Sequence, residues 1–155
     1  MKLPKVGTIG PKFKLLNQDE VEVDLKAFKG KTVVLYFYPK AMTPGCTTQA
    51  CGIRDYKKKW DDHETIVLGI SPDEPKKLKK FQEKEGLNFD LLSDTDHETA
   101  EKYGVWGLKK FMGREYMGIH RITFIIGPDG KIKHIMDDVK TKTHHEDLLS
   151  ILEES

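Results

Sequence analysis

The chain has 155 residues, one domain's worth of ordinary size, with 26 Lys+Arg against 25 Asp+Glu and a net charge of +1. That balance argues against a basic nucleic-acid footprint and against an acidic tail. No apolar run reaches the ~18–20 residues of a membrane span, residues 1–10 lack the apolar core of a signal peptide, and two cysteines are too few for a secreted disulfide scaffold, so a cytoplasmic protein without nucleic-acid or membrane partners is expected.

In chain order, residues 13–24 form two short alternating runs around Asn17-Gln18-Asp19, which predicts a hairpin. Residues 31–38, with Val33-Val34-Leu35-Tyr36-Phe37-Tyr38, read as a strand buried on both faces and ended by Pro39. The stretch from Thr43 to Trp60 reads as one helix with cations in its last turns. Thr65 to Ile70 reads as a second buried strand. Asp73 to Gly86 reads as a helix capped by Asp73, with Leu78 and Phe81 inward and Gly86 just past its end. A strand at Phe89–Leu92 and a short helix at Asp96–Tyr103 follow. Residues 104–118 are the least regular stretch and suggest a functional or docking loop. Strands at Ile119–Ile126 and Lys131–Met136 are joined by Gly127-Pro128-Asp129-Gly130, and His144–Leu152 reads as a terminal helix. Early strands joined by helices pair in parallel and the late hairpin adds antiparallel strands. The expected class is therefore α/β, three layers around a mixed sheet.

The chemistry concentrates where the strand at 31–38 hands over to a helix, as sites in open α/β sheets do. Cys46 falls in the first turn of that helix. Unpaired backbone N–H groups and the positive end of the helix dipole there favour the thiolate over the thiol. Thr43 can direct its hydroxyl at the same sulfur or at an oxygen attacked by it, Pro39 and Pro44 stiffen the loop, and Gly45 permits close backbone approach. A helix-start cysteine alone is as readily a buried structural one. The Pro-Thr-Pro-Gly loop and the second cysteine weigh against that reading. Cys51 lies five residues on, and in an ideal helix the two Cα atoms are roughly 8.7 Å apart, beyond the ~7 Å limit of a disulfide. A Cys46–Cys51 bond thus requires the first turns to unwind. Two cysteines at this spacing, without a nearby His pair, do not make a metal site, and no metal or cofactor is expected.

The pattern Pro39-x-x-x-Thr43-x-x-Cys46 resembles the peroxiredoxin active-site motif. The run Phe37-Tyr38-Pro39-Lys40-Ala41-Met42-Thr43-Pro44-Gly45-Cys46-Thr47-Thr48-Gln49-Ala50-Cys51 is similar to the bacterioferritin comigratory protein (peroxiredoxin Q) subfamily, which places a second cysteine five residues after the first. Gly118-Ile119-His120-Arg121-Ile122-Thr123-Phe124 and Gly127-Pro128-Asp129-Gly130-Lys131-Ile132 fit as well, and the resemblance covers about residues 4–153. It implies one thioredoxin-like domain over residues 1–155 and an antioxidant thiol peroxidase for hydrogen peroxide and organic hydroperoxides. Carried over by position, Cys46 is the peroxidatic cysteine and Cys51 the resolving one. Thr43 hydrogen-bonds the peroxide, Pro39 shields the pocket, and Arg121 supports the thiolate. Thioredoxin or a similar dithiol then reduces the Cys46–Cys51 disulfide, and a monomer suffices because the resolving thiol is in the same chain.

Two other functions use the same pair: a redox-switched binding or sensor protein without turnover, and a disulfide oxidoreductase, which is disfavoured because such sites place two residues between their cysteines and four lie between Cys46 and Cys51. Other residues have plainer readings. Taken by itself, Arg121 reads as a surface strand arginine, with His120 on the opposite strand face in a structural role. Arg54, Lys57–Lys59, Lys109-Lys110 and His144-His145 read as solvated. Trp106, Phe111 and Met112 read equally as a cap over the site, a reductant surface or ordinary packing.

Overall fold

The computed structural model describes residues 2–154. A seven-stranded mixed sheet runs through it in the order β2-β1-β5-β4-β3-β8-β9. The strands in this sheet are β1 (Lys14–Asn17), β2 (Glu22–Asp24), β3 (Thr32–Phe37), β4 (Thr65–Ser71), β5 (Asp90–Ser93), β8 (Thr123–Ile126) and β9 (Ile132–Met136). β3, β4 and β5 are parallel, whereas β1–β2, β1–β5, β3–β8 and β8–β9 are antiparallel. Helices α1 (Pro44–Asp55), α2 (Lys57–Asp62), α3 (Pro75–Glu85), α4 (Glu98–Lys102) and α5 (His144–Glu154) flank the sheet, so the expected α/β architecture with a mixed central sheet is the one observed.

The central strand explains the two cores. Side chains alternate along β3, so Val33, Leu35 and Phe37 join Phe124, Tyr103 and Ile70 on one face. Val34 and Tyr36, with Tyr38 just beyond the strand, join Cys46, Ala50, Ile53, Phe81 and Leu148 on the other. The site's helix is therefore pinned to the second core by its own inward residues.

Four readings change. The helix from Thr43 to Trp60 is two, because the chain turns at Tyr56, which ends α1 and opens α2. The indole of Trp60 donates to Ile53 O at 2.9 Å and packs on Tyr56, which stabilises that corner. Asp73 does not cap α3; Glu74 holds the N-cap position without a side-chain bond and Pro75 is the first helical residue, while Gly86 ends the helix in the left-handed region at φ 61°. The span Ile119–Ile126 is not one strand. Ile119 closes β7 (Arg114–Ile119), His120–Ile122 are irregular, and β8 begins at Thr123. Finally, residues 104–118 are not a loop. They hold β6 (Trp106–Phe111) and β7, an antiparallel hairpin outside the main sheet. Its turn is Met112-Gly113, both at positive φ (49° and 79°), the backbone of a two-residue primed turn.

Candidate active site

Register brings the site together. β3 and β8 are antiparallel with Tyr36 opposite Thr123, and Phe37 N donates to Ile122 O at 3.0 Å. Arg121 therefore lies beside the C-terminal end of β3, where the chain turns into α1. Cys46 sits in the first turn of α1 and is 1% exposed. The Arg121 Nη2 donates to Cys46 Sγ at 3.3 Å, and its Nη1 donates to Gln49 Oε1, one turn along, at 2.7 Å. By helix geometry the Gly45 and Cys46 N–H groups have no intrahelical acceptor and face the same region. Gly45 lies against the guanidinium, with the Arg121 Nη2 at 3.5 Å from where a Cβ would stand, an ordinary contact distance.

The loop ahead of α1 is held from outside. Met42 takes a left-handed backbone, φ 64°, which an L side chain rarely adopts. On one side of it Ala41 N donates to Asp73 Oδ2 at 2.7 Å. On the other the Thr43 hydroxyl donates to Lys40 O at 2.8 Å. Asp73, expected as a helix cap, is instead the clamp of this loop, and Ser71 and Lys77 hold its carboxylate. Because the Thr43 proton is committed to Lys40 O, its oxygen faces any ligand as an acceptor. Pro39 is half-buried, two residues past the end of β3.

Cys51 is in another environment. It is half-buried on α1, 3.7 Å from Glu85 Oε1. Burial pushes its thiol up, the Glu85 carboxylate adds to this, and the Arg54 guanidinium opposes it. Both cysteines are free thiols on one intact helix, so they do not meet in this state. Arg54, read as solvated, is half-exposed and tethers α1 to α3: its Nη1 donates to Glu85 O at 2.6 Å, and Asn88 Nδ2 donates to Arg54 O at 3.2 Å.

Three further residues read as solvated, Lys109, His144 and His145, are packed instead. Lys109 lies on the hairpin with its Nζ donating to Ile119 O at 2.8 Å. Burial lowers its basicity first, the Arg121 charge adds to that, and Cys46 opposes it, so it is a second cation near the sulfur. Its signal was strand alternation, hidden while 104–118 read as irregular. Lys110 is exposed beside Glu115, as expected of a solvated lysine. His144 is 0% exposed. Its Nδ1 lies 3.1 Å from Gln49 Nε2 and its Nε2 lies 2.9 Å from Thr123 Oγ1. The adjacent His145 ring packs on Tyr56 and on Gly52, where a Cβ would overlap it. His120 has the structural role expected, with Nε2 3.1 Å from Leu108 O across the hairpin base, although it is not on a strand. Trp106 stacks on His97 with ring centroids 3.8 Å apart, which is ordinary packing, while Phe111 and Met112 are exposed at the hairpin tip. Among the described residues no group of three or more His, Cys, Asp or Glu side chains is placed to hold a metal ion, and no helix is long and apolar enough to cross a membrane.

Burial drives the pKa of His144 down to about 3, with the His145 and Arg121 charges adding to it. Its folded pKa is below its unfolded one, so the unfolded chain binds the extra proton. The stabilisation is present above the unfolded pKa of ~6.5 and is lost as pH falls toward 3. We expect the His144 contribution to fall by about 2 kcal/mol between pH 8 and pH 5. Urea midpoints at the two pH values measure it, and His144→Phe should flatten the dependence. A dependence equally steep in the variant would assign it elsewhere.

The AhpC/TSA family pattern matches residues 6–135. The chain is 58% identical over 147 residues to a putative peroxiredoxin bcp of Haemophilus influenzae, covering 95% of each. It is 57% identical over 150 residues to peroxiredoxin Bcp of Escherichia coli, covering 97% of this chain and 96% of that one. The chain belongs to the AhpC/TSA family and is a peroxiredoxin. Among solved structures, peroxiredoxin Q of Xanthomonas campestris superposes with a TM-score of 0.87 at 32% identity, over 92% of this chain and 90% of that chain. Bacterioferritin comigratory protein of the same organism, described for its alkyl peroxide reduction activity, superposes with the same TM-score at 31% identity over the same shares. These neighbours establish the thioredoxin-like fold and the Bcp/PrxQ likeness, and the peroxiredoxin is a thiol peroxidase.

Proposed function

We propose that Cys46 is the sulfur that reduces peroxide, and the contact that carries this reading is the Arg121 guanidinium 3.3 Å from its Sγ. The Cys46 thiolate attacks the terminal peroxide oxygen in line with the O–O bond. That bond breaks, the remaining oxygen leaves as water or alcohol after taking a proton, and the sulfur becomes a sulfenic acid. Charge moves onto the leaving oxygen. Arg121 stays cationic throughout and can stabilise it, together with the N–H groups at the start of α1. The Thr43 oxygen accepts from the peroxide hydroxyl and aligns it, and Pro39 limits water at the sulfur.

Cys51 then resolves the sulfenic acid. Its sulfur attacks the Cys46 sulfur, an S–S bond forms, the S–O bond breaks, and hydroxide leaves as water with a proton. The burial and the Glu85 contact that favour the Cys51 thiol belong to the helical state, so unwinding frees a better nucleophile. Helix α1 is suited to unwinding, since it contains Gly45, Thr47, Thr48 and Gly52, all weak helix formers. Thioredoxin or a similar dithiol restores both thiols by exchange and is itself oxidised to a disulfide. Hydrogen peroxide and organic hydroperoxides are the substrates, with no metal or cofactor. The whole chain acts as one cytoplasmic, monomeric domain in antioxidant defence.

One equivalent of hydrogen peroxide tests this. Mass spectrometry should find a Cys46–Cys51 disulfide, the far-ultraviolet circular dichroism should lose signal worth about two helical turns, and thioredoxin should restore both. A disulfide formed with helicity unchanged would sink the unwinding step.

A further inference from the structure

We propose that His144 is a positioning residue that, through Gln49, both aims Arg121 at Cys46 and holds α1 closed. The inference rests on the reading of Cys46 as the reacting sulfur. The bonding directions are forced. A guanidinium only donates, so the Gln49 atom 2.7 Å from Arg121 Nη1 is its oxygen. The Gln49 amide nitrogen is then the atom 3.1 Å from His144 Nδ1, which must accept. His144 is therefore a neutral imidazole with its proton on Nε2, donated to Thr123 Oγ1 at 2.9 Å. Gln49, Thr123 and His144 are each 0% exposed, so no water replaces a lost partner.

This row makes the two ends of the Gln49 side chain distinguishable. Without the acceptor at Nδ1, the Gln49 side chain is held at its oxygen end alone and its buried amide nitrogen is unpaired, so the bond that directs the other arm of Arg121 at the sulfur loses its anchor. Gln49 also lies between the two cysteines on α1, whereas His144 begins α5 and Thr123 begins β8. The part of α1 that must unwind is thus bonded to two elements that need not move. Weakening the row should slow the step that needs Arg121 and speed the step that needs the helix open.

Rapid-quench mass spectrometry with one equivalent of hydrogen peroxide separates sulfenic acid formation from disulfide formation. In Thr123→Val, which keeps side-chain volume, and in His144→Phe, we expect the first step to slow by about fivefold and the second to accelerate by about the same factor. Excess peroxide should then convert a smaller fraction of Cys46 to sulfinic acid. Thr123→Ser, which keeps the hydroxyl, should recover most of both changes. Either step staying within twofold of wild type, or both moving the same way, would overturn the inference. Thr123→Val decides alone if the histidine variant does not fold. Cys46→Ser is run beside them. Peroxide consumption surviving in it would remove the reading of Cys46, whereas a dead Cys46→Ser beside an unaffected Thr123→Val would remove only the role of His144.

Discussion

Cys46→Ser should lower peroxide consumption with dithiothreitol by about a thousandfold or more. A serine hydroxyl placed at the same helix start, with the same guanidinium nearby, does not ionise at neutral pH and is a poor nucleophile toward peroxide oxygen. The effect should be large because no third cysteine exists, and the remaining one, Cys51, sits where burial and Glu85 favour its thiol. The measurement is loss of hydrogen peroxide against time at matched protein concentration. Consumption within tenfold of wild type would move the reacting group away from Cys46.

In Cys51→Ser, one oxidising equivalent should leave an added oxygen atom on Cys46 and no intrachain disulfide. Turnover with thioredoxin should fall by about a hundredfold, since the disulfide that a protein dithiol attacks is no longer made. Further peroxide should drive the trapped sulfenic acid to sulfinic acid. Intact-mass spectra with and without a sulfenic-acid trap check each part. An intrachain cross-link in this variant, or thioredoxin-linked turnover close to wild type, would remove Cys51 from the resolving role. The pair of variants also tests the asymmetry of the cysteines, because one should fail before oxygen is taken up and the other after.

The buried run at β3, the turn at Gly127–Gly130, the paired strands and the helix start at Cys46 were all legible in the sequence, because each has a strong local signal. What stayed hidden depended on partners far along the chain. Asp73 looks like a helix cap, yet its carboxylate goes to Ala41 N, 32 residues earlier, which the local pattern does not contain. His144 looks solvated in a His-His pair before a charged helix, and only the fold places it under α1 against Gln49 and Thr123. The hairpin β6–β7 carries a weak local signal because its turn is Met112-Gly113 rather than an Asn-Gly or Asp-Gly pair, and without the hairpin the placement of Lys109 is not visible. Arg121 is the mixed case. Its position before β8 is ordinary, and what marks it is the family resemblance together with the Tyr36–Thr123 register that brings it to Cys46.

The corner at Tyr56 bears on how long such an enzyme survives its own cycle. The tethers at Trp60, Arg54 and Asn88 all grip α1 at Ile53 or Arg54, past the second cysteine. The length free to melt is therefore Gly45-Cys46-Thr47-Thr48-Gln49-Ala50-Cys51-Gly52, in which Ala50 is the one aliphatic side chain, while Ile53 and Trp60 stay behind the tethers. Of its own side chains, an opening α1 would therefore bring almost no apolar surface into water to which another unfolded segment adheres. In the proposed cycle, each turnover would then pass through a partly melted chain whose freed segment is itself too polar to seed an aggregate.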